Sequence, residues 1–98
     1  MHEPDEVIHQ SMRLRIVAAL NALPAGETLE FVSLKSALGA TDGNLGAHLT
    51  TLEKAGYINV AKQFRGRRPK TSVSLTRTGR RAFERHVNFL KELLEPGE

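Results

Sequence analysis

The spacing of apolar residues changes midway along the chain, and this change limits the fold more than any other feature. As far as Gly56 the apolar residues recur at three- and four-residue steps, the period of a helix with one buried face. From Tyr57 to Leu75 they alternate, with Ile58 and Val60 on one side, Asn59 on the other, and Val73 and Leu75 inward. Alternation of this kind marks strands. After Thr76 the helical period returns. The expected fold is mostly α with a small β-hairpin, in the order helix, strand, helix, helix, hairpin, helix. A chain of 98 residues supports one small core and not two. Residues 1–98 are therefore read as a single domain, with frayed ends at about 1–5 and 95–98.

Local residue chemistry sets the expected boundaries. Val7, Ile8, Met12, Ile16, Val17, Leu20 and Leu23 form the stripe of a first helix, with Arg13 and Asn21 outside it. Pro24-Ala25-Gly26 ends that helix, and Thr28 to Phe31 alternates as a very short strand. Val32 to Leu38 reads as a second helix with Leu34, Ala37 and Leu38 inward, closed by Gly39. Thr41 is an N-cap residue for a third helix, on which Leu45, Leu49 and Leu52 fall at i, i+4 and i+7. Two helices joined by the tight Gly39-Ala40 turn are a helix-turn-helix candidate. The strands Tyr57–Phe64 and Thr71–Leu75 are joined by Arg65-Gly66-Arg67-Arg68-Pro69-Lys70, a turn with four cations. Thr76 caps a final helix running to about Leu94.

Several function classes drop out. The chain has no cysteine, which excludes disulfide scaffolds, thiolate metal sites and thiol nucleophiles. Its longest apolar run, Ile16 to Leu20, is far short of the roughly 20 residues that span a bilayer. The acidic N-terminus, Met1-His2-Glu3-Pro4-Asp5-Glu6, lacks the basic start of a secretory leader, so a cytoplasmic location is expected. There is no phosphate-binding glycine loop, no Gly-x-Ser-x-Gly and no acid/base constellation. Neither an enzyme nor a cofactor is expected. His2, His9 and His86 lack metal-ligand spacing within one segment, and no metal site is expected.

The charge is segregated. Residues 62–85 hold nine basic side chains against Glu84 alone, a net +8, while the rest of the chain sums to −5. A surface of that kind faces a polyanion. Opposite the leucine stripe, the third helix presents Gly43, Ala47, Thr50 and Lys54, flanked by Asn44, Gly46 and Thr51. Small residues let a helix approach base edges, asparagine pairs with adenine, and threonine reads a base edge or a thymine methyl. Two glycines on a merely solvated helix face would cost about 1 kcal/mol each without return. Arg65, Arg67, Arg68 and Lys70 on the hairpin suit phosphates or a narrow minor groove.

The residues Thr41-Asp42-Gly43-Asn44-Leu45, His48-Leu49, Leu52-Glu53 and Ala55-Gly56-Tyr57-Ile58 are followed by Gly66-Arg67-Arg68-Pro69 and Leu75-Thr76-x-x-Gly79-Arg80. In this order they closely resemble the small single-domain winged helix-turn-helix transcriptional regulators of the MarR/ArsR-like group. The resemblance covers roughly Met12 to Leu94. It implies a homodimer on double-stranded DNA, with the third helix in the major groove and each wing on the backbone or minor groove. Thr41, Asp42 and His48 then join the recognition-helix residues, His48 beside a phosphate or as a packed imidazole. Ser33, Lys35 and Ser36 of the second helix are backbone-contact candidates. Gly46-Ala47 stands where related sequences often carry serine, which removes one hydroxyl contact to DNA.

The last helix is too apolar for one contact surface. Phe83, Val87, Leu90 and Leu94 form one stripe, and Ala82, Phe89 and Leu93 widen it. With Val7, Ile8 and Met12 they are expected to pair two copies about a two-fold axis. A small-molecule effector at that interface, as in some relatives, is compatible with the sequence, although no polar cluster names one. The alternative reading is a winged-helix protein-interaction module that docks an acidic partner without direct DNA binding.

Overall fold

The computed structural model describes residues 2–95. Its elements are α1 (Ser11–Asn21), β1 (Thr28–Glu30), α2 (Phe31–Leu38), α3 (Asp42–Lys54), β2 (Ile58–Arg65), β3 (Arg68–Leu75) and α4 (Arg77–Leu94). The expected order and fold class hold, and the short strand joins the hairpin in one antiparallel sheet, ordered β1-β3-β2. Val73 sits at its centre, opposite Leu29 on one side and Val60 on the other. One core lies between the sheet and the helices. Ile16, Val17 and Leu20 of α1 meet Leu34, the α3 leucines 45, 49 and 52, Ile58, Val73 and Ala82 there, all fully or almost fully buried. No helix among the described residues is long and apolar enough to cross a membrane.

Caps fix the ends of the helices that matter for the site. Thr41 Oγ1 accepts the Asn44 N–H at 3.1 Å. Gly39 closes α2 with a left-handed φ of 62°, which turns the chain from α2 into α3 within three residues. Thr76 Oγ1 accepts the Gly79 N–H at 2.9 Å and donates to the Gly56 carbonyl at 2.7 Å. Each such cap contributes about 1 kcal/mol.

Five expectations are corrected. The first helix begins at Ser11, not near Val7. Asp5 Oδ1 accepts the N–H groups of both Val7 and Ile8 at 3.0 Å, winding residues 5–9 into a separate turn, and extended Gln10 then starts α1 anew. That offset carries Ile8 into the core, where it is completely buried within one chain, so Ile8 is withdrawn from the expected dimer surface. Residues 2–5, expected to fray, are docked, because His2 bonds Glu92 and Asp5 bonds His86 and Tyr57; residues 1 and 96–98 of the expected frayed ends lie outside the described residues. Ala37, expected inward, is exposed, because α2 is only eight residues long and points one narrow face at the core through Leu34.

The fifth correction concerns the hairpin. Its strands continue to Arg65 and Arg68, leaving a two-residue turn, Gly66-Arg67. Gly66 has a φ of 65°, the positive value a two-residue hairpin needs at its first position. Pro69 is part of β3, opposite Phe64. It lies past the end of β1, where β3 has an open edge and a sheet admits proline.

Gly79 sets how closely α4 approaches the sheet. A Cβ built there would strike the Tyr57 carbonyl oxygen and the Leu75 side chain. That carbonyl is already occupied by the Thr76 N–H at 3.0 Å, so it has little freedom to yield. Gly79→Ala is expected to lower stability by about 1–3 kcal/mol, as overpacking does. A reduced urea midpoint with an unchanged slope checks it.

Candidate nucleic-acid interface

The leucine side of α3 is buried, and its other side is open. Thr41, Asp42, Gly43, Asn44, Ala47, Thr50, Thr51 and Lys54 are exposed, while Gly46 and His48 are half-buried. No atom outside the local helix lies within 4 Å of a Cβ built at Gly43 or Gly46. The fold therefore does not require glycine at either position. The side-chain amide of Asn44 makes no hydrogen bond among the described residues, and its N–H is held by the Thr41 cap. Thr50 and Thr51 donate their hydroxyl protons back to the Gly46 and Ala47 carbonyls at 3.0 and 3.3 Å. That leaves their oxygens as acceptors and their methyls as apolar contacts. Lys54 lies about 18 Å along the helix axis from Asp42, too far to share a base pair with it.

The second helix is partly committed elsewhere. Lys35 Nζ is 2.8 Å from the Asp42 carboxylate, which ties α2 to the first turn of α3 and reduces both as free charges. Ser33 and Ser36 are exposed. His48 is half-buried and held by a neighbour. The Arg13 guanidinium, which can only donate, contacts its Nδ1 at 3.1 Å, so the proton sits on Nε2. Burial first, and the Arg13 charge second, hold its pKa below the ordinary 6.5.

Not every cation in the basic segment is free. Arg80 donates to the Asn21 carbonyl and side chain at 3.2 and 2.9 Å and to the Leu23 carbonyl at 3.4 Å, closing the end of α1. Lys70 is half-buried, 3.4 Å from Glu30, and shares its charge with that carboxylate. Arg65, Arg67 and Arg68 are exposed and have no acidic partner among the described residues. Arg65 stands directly opposite Arg68, and like charges so placed oppose hairpin closure.

One surface residue escaped the sequence reading. Phe64 is 77% exposed beside the wing arginines. It continues the inward-facing positions of β2 past the point where the body of the protein ends, so alternation alone misplaces it. Gly46 and Thr50 of α3, Lys62 of β2 and Thr71 of β3 line a single cleft, so the helix and the root of the wing belong to one surface.

A helix-turn-helix followed by a two-stranded wing on a three-stranded sheet defines the winged helix-turn-helix class. Residues 12–94 match the family described as winged helix DNA-binding domain, and the chain belongs to that family. An uncharacterized protein of Methanocaldococcus jannaschii is 37% identical over 90 residues, which span 92% of this chain and 91% of that one. The structure is similar to a transcriptional regulator homologue from Pyrococcus horikoshii OT3, with a TM-score of 0.82 and 27% identity, covering 92% and 86% of the two chains. A Porphyromonas gingivalis W83 protein described as a MarR-family transcriptional regulator shares the fold, with a TM-score of 0.70 at 19% identity over 94% of this chain and 86% of that one. Such regulators are normally non-enzymatic.

The open space at Gly43 and Gly46 generates a test. Gly43→Ala and Gly46→Ala are each expected to stabilise the protein by about 0.5–1 kcal/mol. A raised melting temperature together with weaker duplex binding would show that both glycines serve approach, not folding.

Proposed function

We propose that the chain is a transcriptional regulator that binds double-stranded DNA as a homodimer in the cytoplasm. In this reading α3 lies in the major groove, with Thr41, Gly43, Asn44, Gly46, Ala47, Thr50 and Thr51 toward base edges. Lys54, Ser33, Ser36 and the Nε2–H of His48 serve the flanking phosphates. Arg65, Arg67 and Arg68 take the backbone or an adjacent minor groove, and Phe64 adds an apolar contact there. The observation that carries the reading is the wing: three arginines without acidic partners among the described residues, two of them opposed across strands, on a hairpin whose root shares a cleft with α3. A polyanion relieves that repulsion, and water does so only in part.

Pairing is supported by α4. The single chain fully buries Gly79, Ala82 and His86 of this helix. Phe83, Val87, Phe89 and Leu90 stay half-buried, and Leu93 and Leu94 are 62% and 79% exposed. Val7 and Met12 are half-buried beside them in the chain's first turns. A second copy covering these residues sets two α3 helices about one DNA turn, roughly 10 bp, apart.

Fluorescence anisotropy of a mixed-sequence 30-bp duplex (about three turns) across salt concentrations tests DNA binding. Six wing arginines and two copies of Lys54 per dimer give a log–log slope near −7. Arg67→Ala/Arg68→Ala is expected to flatten it by between about 3 and 4, whereas Phe64→Ala weakens binding at an unchanged slope. No binding at low salt moves the basic surface to an acidic protein partner. Sedimentation is the second test: a dimer at micromolar concentration is expected, converted to monomer by Leu93→Glu/Leu94→Glu.

A further inference from the structure

Residues 2–9 form a strap along α4. At its outer end the His2 N–H donates to Glu92 at 2.9 Å, and the His2 ring lies 2.7 Å from the same carboxylate. At its inner end the Asp5 N–H donates to Nδ1 of His86 at 3.1 Å. The Asp5 carboxylate accepts the Tyr57 hydroxyl at 2.5 Å and caps the turn that buries Ile8. His86 itself is completely buried, and its Nε2 has no hydrogen-bond partner among the described residues. The rings of His9 and Phe89 stand 5.4 and 5.7 Å from it, centre to centre.

This arrangement admits only one protonation state. Accepting at Nδ1 requires a neutral imidazole with its proton on Nε2. A second proton would have to sit on Nδ1, facing the Asp5 N–H, and would place a cation where no water reaches. We propose that His86 is a proton-operated latch for the N-terminal strap: neutral, it holds residues 5–9 on α4, and protonated, it releases them. The latch stands independently of any DNA contact.

The surrounding groups set the direction. Asp5 and His9 face His86 from the strap, Tyr57 reaches Asp5 from the start of the hairpin, and Arg85 of α4 acts on Tyr57. Arg13 of α1 holds the Val7 carbonyl at 2.5 Å, at the far side of the turn. Burial first, and His9 second, lower the His86 pKa against the opposing pull of the Asp5 charge. A depressed histidine stabilises the closed strap above its ordinary value of 6.5, and that stabilisation fades as the pH falls below it. The Glu92 carboxyl is held below its usual range by the His2 amide and ring, so the outer tie persists while the inner one opens. At the other extreme the Tyr57 hydroxyl is pushed up to about 12 by burial and by Asp5, so it keeps its proton and its bond throughout this range; the stabilisation it gives fades only as the pH rises from the ordinary 10 toward that value.

Release would draw Ile8 out of the core and uncover the Ala82–His86 face of α4 beside Phe89, on the helix assigned to pairing. The test is an NMR titration of the whole ¹⁵N-labelled chain from pH 8 to 5. The His86 ring is expected as the Nε2–H tautomer at pH 8, titrating below 6.5. The Asp5, Val7 and Ile8 amides should shift with the same midpoint, and protection of the Ile8 amide should fall about tenfold per unit of pKa difference. His86→Asn, whose Oδ1 takes the place of Nδ1 without titrating, is expected to keep the strap closed throughout. Strap amides that remain protected across the His86 titration of the unmodified chain overturn the proposal, as does a step that survives in His86→Asn. Should that variant not fold, the matching of midpoints in the unmodified chain decides alone.

Discussion

Tyr57 is the point on which the rest of the molecule depends. Its carbonyl takes the N–H of Thr76 and lies against Gly79, its N–H returns to the Leu52 carbonyl at the end of α3, and its hydroxyl reaches Asp5. One residue thereby ties α3, both ends of the hairpin, the start of α4 and the N-terminal strap. The wing cannot move at its root relative to α3 without breaking one of these bonds. This rigidity lets two separate elements, a helix face and a hairpin, act as one surface.

What the sequence made legible was whatever local chemistry decides. The α3 stripe, the Thr41 and Thr76 caps, the Gly39 turn and the alternation of β2 are each fixed by residues a few positions apart, and each appears in the structure. The two-residue turn was missed because Pro69 and its neighbours look like loop, although an open strand edge accepts them. Ile8 and His86 were missed for a different reason. Ile8 lies in register with a helical stripe that the chain breaks at Gln10, and His86 is polar by composition but faces inward by its place one turn beyond Ala82. Their partners lie 81 positions apart in the case of Asp5 and His86, and no local pattern encodes such a pair. For the site, the residue types on α3 and the wing could be read directly, but their commitments could not. Lys70, Lys35 and Arg80 count equally with Arg67 in a tally of charge, and only the fold shows that Glu30, Asp42 and Asn21 already engage them.

The same division governs how stability is distributed. The inner side of α3 is buried through Leu45, Leu49 and Leu52, while its outer side carries residues that disfavour a helix, namely two glycines and two threonines. The helix tolerates them because burial of three leucines, each contributing about 1.5–3 kcal/mol, outweighs propensity terms of under 1 kcal/mol each. Folding thus makes its demands on one face of this helix and leaves the opposite face free for the DNA contact proposed for it.

Strand β1 pairs with only three residues of β3, ending opposite Ser72. Beyond that point the wing is a two-stranded ribbon, and such ribbons twist more than wider sheets. Beyond Ser72, strand β3 keeps β2 as its one partner, so the coil of the outer hairpin is set by that pair alone. The length mismatch between two strands thus divides the wing into a root held on two sides and an outer part held on one.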